Sequence, residues 1–331
     1  TVFVGGQEAI YYFPVSAIPD TVSQKIPLPP VPPGWNPRLN PVDICFSPDG
    51  KTLYAAGGIG NVAFRMPMVA NLASGKIERI TLPSGQGTMS GMGLSPDGTR
   101  LVFSFGGNIK GVWTFWASIL NLSDWDQPKL TTTYVPSAGD VVFSADNSLV
   151  YVLDPNGNKI YHFPVANPPE RAADSIPVPA PEVMVLDTTS GMVYVGTAAA
   201  EVAAFPSIDP PATPSQSWPA GGTTWGIAMV NGGAFGIVGN AFSGTVSIFM
   251  TRVADGAVAN IAVGNRPASL AISPNGLLAF AGNIEDNTIS VLQPLPGLVR
   301  QTDGQAMPDV AVEQRSFWEV VQRFLRGVFG G

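Results

Sequence analysis

Val263-Gly264-Asn265-Arg266-Pro267-Ala268-Ser269-Leu270-Ala271-Ile272-Ser273-Pro274-Asn275-Gly276-Leu277-Leu278-Ala279-Phe280-Ala281-Gly282-Asn283 decides how the rest of the chain is read. It reads as two short apolar strands hinged at Ser273-Pro274-Asn275-Gly276, where Pro and Asn start the reversal and Gly supplies a positive φ. The unit recurs as Ser47-Pro48-Asp49-Gly50 before Lys51-Thr52-Leu53-Tyr54, and as Ser95-Pro96-Asp97-Gly98 before Thr99-Arg100-Leu101-Val102. Looser copies stand at Ser144-Ala145-Asp146-Asn147, at Asp187-Thr188-Thr189-Ser190-Gly191 and at Asn231-Gly232-Gly233. The step between turns is roughly 40 to 50 residues, the period of a propeller blade.

We name the strands of a blade a to d, with the turn between a and b. Seven b strands follow, at Val2–Val4, Leu53–Ala56, Leu101–Phe105, Leu149–Leu153, Met192–Val195, Phe235–Val238 and Leu278–Ala281. Seven c strands come after them, at Ile10–Phe13, Val62–Arg65, Val112–Ala117, Ile160–Phe163, Val202–Phe205, Val246–Phe249 and Ile289–Leu292. Only six a strands are legible, so the chain starts at strand b of its first blade. An open blade leaves unpaired edge amides. The alternating run Asp309–Glu313 is therefore expected to close the ring by pairing Val310–Val312 with Val2–Val4, after a last outer strand near Leu298–Thr302. The fold class that results is all-β, a seven-bladed β-propeller over residues 1–313 with a C-terminal amphipathic α-helix and tail over 314–331.

The pattern of Pro, a small apolar strand, Ser-Pro-Asp/Asn-Gly, a second strand ending in Asn or Gly, and then Asn-Thr-apolar-Ser-Val resembles the YVTN-type repeat of lactonase-like seven-bladed propellers. Residues 258–292 carry it most closely and 41–82 well, and the likeness extends to about Arg300. Some repeats also resemble those of phage structural propellers. The resemblance implies the propeller fold. Its motifs are structural, and fold does not carry function.

Composition narrows the partners. Charged residues make up 12% of the 331, roughly half the usual share, while 37 Gly and 32 Pro suit many tight turns and few helices. A net charge of −7 opposes binding to a phosphate backbone, so nucleic acid is not an expected partner. With one Cys (Cys45) and one His (His162), no intrachain disulfide forms, and zinc, haem or Cys-His chemistry has no ligand set. Cys45 lies in the apolar run Val42–Phe46, and His162 sits within strand c on the face opposite Tyr161 and Phe163. The Gly-rich strings at the ends of b strands, such as Gly57-Gly58-Ile59-Gly60 and Gly106-Gly107-Asn108, open no helix and are read as turn devices, not phosphate cradles. Thr1 opens directly in a strand, which fits either a cleaved secretory signal or removal of an initiator Met.

Lactonases of this fold use carboxylates, Arg and usually His on one loop face. The b–c and d–a loops here offer Glu8, Arg38, Lys110, Asp154, Glu201, Arg266, Glu285 and Asp286, which match no such set. Asn283, Glu285 and Asp286 are the candidate ligands for a calcium ion, set against the reading of a solvated acidic turn; no other cofactor is expected. The favoured function is a non-catalytic structural or binding module in a larger assembly, at a cell surface, secreted, or in a virion. The alternative is a metal-assisted lactonase or isomerase with a carboxylate-lined channel. Contact candidates are Trp35 in the Pro27–Pro37 loop, and Trp113, Trp116 and Trp125 around a longer connection at Ser118–Lys129. For Trp113 and Trp116 the competing reading is packing between blades.

From Gln314 to Phe329 the periodicity predicts a helix. Phe317, Trp318, Val320, Val321, Phe324, Leu325, Val328 and Phe329 form its apolar face, and Arg315, Glu319, Gln322, Arg323 and Arg326 its polar one. A protein partner or a second copy is the expected occupant of that face, alongside the propeller's own flank and, less favoured, a membrane surface.

Overall fold

In the computed structural model the Ser-Pro-Asp/Asn-Gly turns share one set of bonds. The Ser47 hydroxyl donates to Asp49 Oδ1 (2.6 Å) and accepts from the Thr52 amide (2.9 Å), while the Gly50 amide closes on the Ser47 carbonyl (2.8 Å). Ser95, Ser144 and Ser273 do the same with Asp97, Asp146 and Asn275, at 2.6, 2.6 and 2.7 Å. The fourth residue is left-handed in all four turns: Gly50 at φ 68°, Gly98 at 69°, Asn147 at 64° and Gly276 at 69°. Gly, and after it Asn, adopts that conformation most readily. Side chains thus complete a reversal within six residues, and each strand pair forms locally.

The structure describes residues 1–6, 9–13, 24–27, 41–57, 62–69, 72–73, 77–82, 87–230, 232–251, 259–273, 275–293 and 311–316. They make an all-β, seven-bladed propeller whose blades are antiparallel meanders. Two compact units divide the chain, residues 1–175 and 176–331.

The first unit holds blades 1 to 4. Blade 1 has three strands, Val2–Gly6, Ala9–Phe13 and Gln24–Pro27, in keeping with a chain that starts at strand b. Blade 2 runs Pro41–Phe46, Thr52–Gly57, Val62–Val69 and Glu78–Thr81, with Leu72–Ala73 paired to the end of its third strand. Blade 3 is Thr88–Leu94, Arg100–Ile109, Val112–Asn121 and Leu130–Val135. Blade 4 is Val141–Phe143, Leu149–Asp154, Lys159–Pro164 and Ser175–Pro177.

The second unit holds blades 5 to 7. Their strands are Pro181–Asp187, Met192–Thr197, Glu201–Pro206 and Gln216–Pro219; Thr224–Met229, Phe235–Asn240, Thr245–Met250 and Ala259–Ala262; and Pro267–Ile272, Ala279–Asn283, Thr288–Gln293 and Ala311–Ser316. Every b and c strand read from the sequence falls on one of these strands.

Within each unit, the faces of middle strands that meet a neighbouring blade are apolar. In blade 3, Leu101, Phe103 and Phe105 join Tyr54, Ile80, Met92 and Trp125 on the blade 2 side, while Val102, Ala117 and Ile119 join Val141, Phe143 and Val152 on the blade 4 side. Blades 5 and 6 close in the same way over Tyr194, Trp218 and Phe249, and blades 6 and 7 over Ile237, Val246 and Leu292. Strand a carries one extra residue on entering blades 2, 3, 5, 6 and 7, at Val42, Ser90, Glu182, Trp225 and Ala268. A bulge of this kind re-aims the side chains beside it.

Three expectations are corrected. Ala311–Ser316 pairs with Thr288–Gln293 as the fourth strand of blade 7, in place of the expected pairing of Val310–Val312 with Val2–Val4. A whole d strand was open beside Thr288–Gln293, and six ladder positions fill it. Gln314, Arg315 and Ser316, assigned to the start of the helix, are therefore strand; residues 317–331, with Phe317, Trp318, Val321, Phe324, Leu325 and Phe329, lie outside the described residues, as does 294–310. Strand c of blade 3 runs on to Asn121, so the longer connection begins at a 3-10 turn, Leu122–Asp124.

Candidate functional site

Blade 3 departs most from the repeat. The middle strands of the other blades span five to eight residues, whereas Arg100–Ile109 and Val112–Asn121 span ten each. Their ladder continues to Ile109↔Val112 and reverses through Lys110 (φ 52°) and Gly111 (φ 86°), a two-residue turn whose twist suits a hairpin. Strand a stops pairing at Thr88↔Gly106 and strand d at Phe115↔Val135, so residues 107–114 stand beyond the blade as a two-stranded ribbon.

That ribbon is apolar. Trp113 is 68% exposed, Val112 64% and Ile109 38%. Trp113 stacks on Phe115, with centroids 6.3 Å apart and 18° between planes, and Phe115 lies across Gly106, where a Cβ would come within 2.7 Å of the ring. Eight large apolar side chains are exposed among the described residues; Ile109, Val112, Trp113, Phe242 and Ile284 of these stand on b–c turns.

Trp116 and Trp125 are corrected from surface candidates to core. They are 3% and 2% exposed; Trp116 stacks on Phe105 at 5.6 Å, and Trp125 lies 6.1 Å from Tyr54 with the Arg65 guanidinium 5.1 Å from its ring. Trp113 and Trp116 are three residues apart on a strand and so face opposite sides. Trp35, Arg38 and Glu8 lie outside the described residues.

In the second unit, Arg266, Glu285 and Asp286 gather at the b–c end of blades 6 and 7. Arg266 is left-handed at φ 61°, its guanidinium carbon 4.5 Å from the Trp225 ring centroid and its Nη1 donating to Glu285 Oε1 (2.9 Å). Trp225, the bulge residue of its strand, meets Phe242 edge to face at 5.5 Å. Asp286 accepts from the Asn265 amide (2.5 Å) and side chain (2.8 Å). Asn283 turns inward: its Nδ2 donates to Thr288 Oγ1 (2.8 Å) and Ser290 Oγ (2.9 Å), as Asn240 does to Thr245 and Ser247. The calcium candidates Asn283, Glu285 and Asp286 thus have three separate sets of protein partners. No group of three or more His, Cys, Asp or Glu among the described residues could hold a metal ion.

The remaining ionisable candidates are dispersed. Asp154 is buried and accepts from the Gly157 amide (2.8 Å), Lys110 sits at the hairpin apex and Glu201 is exposed. His162 is half-buried beside Tyr151 at 5.8 Å; burial holds its imidazole below the usual range against the pull of Asp174. Cys45 is a free thiol packed against the blade 2–3 core, and burial pushes its pKa up.

Sequence reasoning passed over one group. Asp43, in strand a of blade 2, has its carboxyl pushed up to about 7 by burial and then by the charge of Asp140. Amides of Ile44 (2.9 Å) and Met92 (3.4 Å) donate to it, the second from blade 3. The available signal was an acid inside the apolar run Val42–Phe46, with a second acid directly before Val141.

No protein-family model matches the chain, and no curated protein does. Solved structures do share its fold. A chain of the hydrazine synthase of Kuenenia stuttgartiensis is similar at a TM-score of 0.67 and 16% identity, over 88% of this chain and 91% of that one. A functionally unknown protein from Desulfotomaculum acetoxidans DSM 771 is similar at 0.67 and 14%, over 94% and 99%. At such identities the likeness shows the propeller fold alone.

Proposed function

We propose that this propeller is a YVTN-type, non-catalytic binding or structural module of a larger assembly, at a cell surface, secreted or in a virion, and that it docks a protein partner through the blade 3 hairpin. The supporting observation is the exposure of Val112 and Trp113 on a ribbon that extends past its own blade. Packing inside the first unit needs neither side chain. An anchored aromatic on a stiff two-stranded support loses little entropy on docking. The test is a Val112→Ser/Trp113→Ser double variant. Partners that co-purify with the full chain from its native source are lost by the variant at unchanged melting temperature. Retention of every partner rejects the hairpin as the docking element.

One observation favours a second reading, a lactonase or isomerase working through carboxylates. Asp43 titrates near neutrality with Asp140 beside it, which suits a general acid or base. Under that reading, Asp43→Asn abolishes hydrolysis of a lactone panel while the fold is kept. Activity that survives the substitution removes it.

A further inference from the structure

The b–c corner of blades 6 and 7 carries a site independent of the hairpin. Four buried side-chain polar atoms among the described residues have no hydrogen-bond partner, and three of them, Asn240 Oδ1, Asn283 Oδ1 and Arg266 Nε, belong to this one corner. Orphaned polar atoms are few in native proteins and each calls for an explanation. The backbone here also departs from ease at Arg266, a non-glycine residue at φ 61°. The guanidinium of that residue lies over the Trp225 indole, and left-handed non-glycine residues collect at binding sites.

The chemistry of the corner selects the ligand. A free anion meets two carboxylates, Glu285 and Asp286, and an arginine already paired to one of them. A cation finds both carboxylates engaged and one face of Trp225 covered by Arg266. A purely apolar ligand is flanked by charged and amide groups, which it would desolvate without return. What fits is an uncharged molecule with a C–H face for Phe242, which is 72% exposed beside Trp225, and hydroxyls for the Arg266–Glu285 pair that lies against the same indole. We infer that this corner binds a neutral saccharide, with Phe242 as the stacking ring.

The test follows the indole Nε1–H resonance of Trp225 in the full-length protein, assigned with Trp225→Phe, during titration with maltohexaose, cellohexaose, chitohexaose and inorganic phosphate up to about 10 mM. At least one oligosaccharide shifts the resonance with a Kd of about 1 mM, and phosphate does not. Phe242→Ala weakens that binding at least about tenfold at an unchanged melting temperature. The Val112→Ser/Trp113→Ser variant binds the saccharide as the parent does, which separates this site from the docking hairpin. The inference is overturned if no oligosaccharide moves the resonance, if phosphate moves it as much, or if binding survives Phe242→Ala.

Discussion

The blade 3 hairpin and the blade 6–7 corner occupy the same place in the repeat, the connection between strands b and c, and are built in opposite ways. In blade 3 the ladder itself is lengthened, its tip is closed by the backbone ladder and by the Gly111 amide donating to Asn108 Oδ1 (2.8 Å), and its large apolar side chains are left to solvent. In blades 6 and 7 the strands stay short, and the end of each b strand is an Asn bonded to a Thr five residues on and a Ser seven on. One scaffold can therefore tie its turns down from inside or extend them outward. What a b–c turn does depends on where its polar groups go, not on the strands beneath it.

Removing the ring at the hairpin's root tests that contrast most severely. Phe105 is fully buried and stacked on Trp116, so Phe105→Ala should cost about 3–5 kcal/mol in denaturant unfolding. A loss below about 1 kcal/mol would mean that the hairpin is not anchored through this ring.

A pH series separates the two regions next. Asp43 links blade 2 to the Met92 amide of blade 3, whereas the Asn240 and Asn283 networks hold no titratable group. An unfolded Asp titrates near 3.9, and folded Asp43 near about 7. The folded state therefore binds the extra proton between these values, and stability falls as pH rises through that window. Asp140 is the charged neighbour, and the nearby Cys45 stays a neutral thiol across this window. Asp43→Asn should remove that slope and stabilise the protein above pH 7 by on the order of 2 kcal/mol, after discounting for partial solvent exposure. Parallel stability profiles for parent and variant between these limits would contradict the assignment.

Asn240→Ala is the matching change in the second unit. It leaves Thr245 and Ser247 short of a donor and should cost about 1–2 kcal/mol, equally at pH 5 and pH 8. A pH-dependent loss would place a titratable group in a network that shows none.

The smallest effect belongs to Trp113→Ala, which should change stability by less than about 0.5 kcal/mol because the side chain is exposed. A larger cost, measured by thermal unfolding, would make Trp113 a packing residue and weaken its assignment to docking.

Much of this was legible in the chain because the repeat is written in short-range chemistry. Ser, Asp and Gly within six residues complete a turn by themselves, so the b and c strands could be placed from sequence. The site was legible only in part. Glu285 and Asp286 were grouped from sequence, with Asn283, because they share one turn, but the pairing of Arg266 with Glu285 and the roles of Trp225 and Phe242 come from a bulge and from an approach between blades that no local pattern records.

By itself the sequence determined the seven-blade count, the turn chemistry and the absence of Cys-His ligand sets, since each follows from residues within one repeat or from composition. Tertiary structure alone decided that Trp113 is exposed while Trp116 and Trp125 are core, that Ala311–Ser316 completes blade 7, and that Asp43 meets Asp140. Those outcomes turn on which strand lies next to which across tens of residues, where several partners satisfy the same local pattern and only packing selects one.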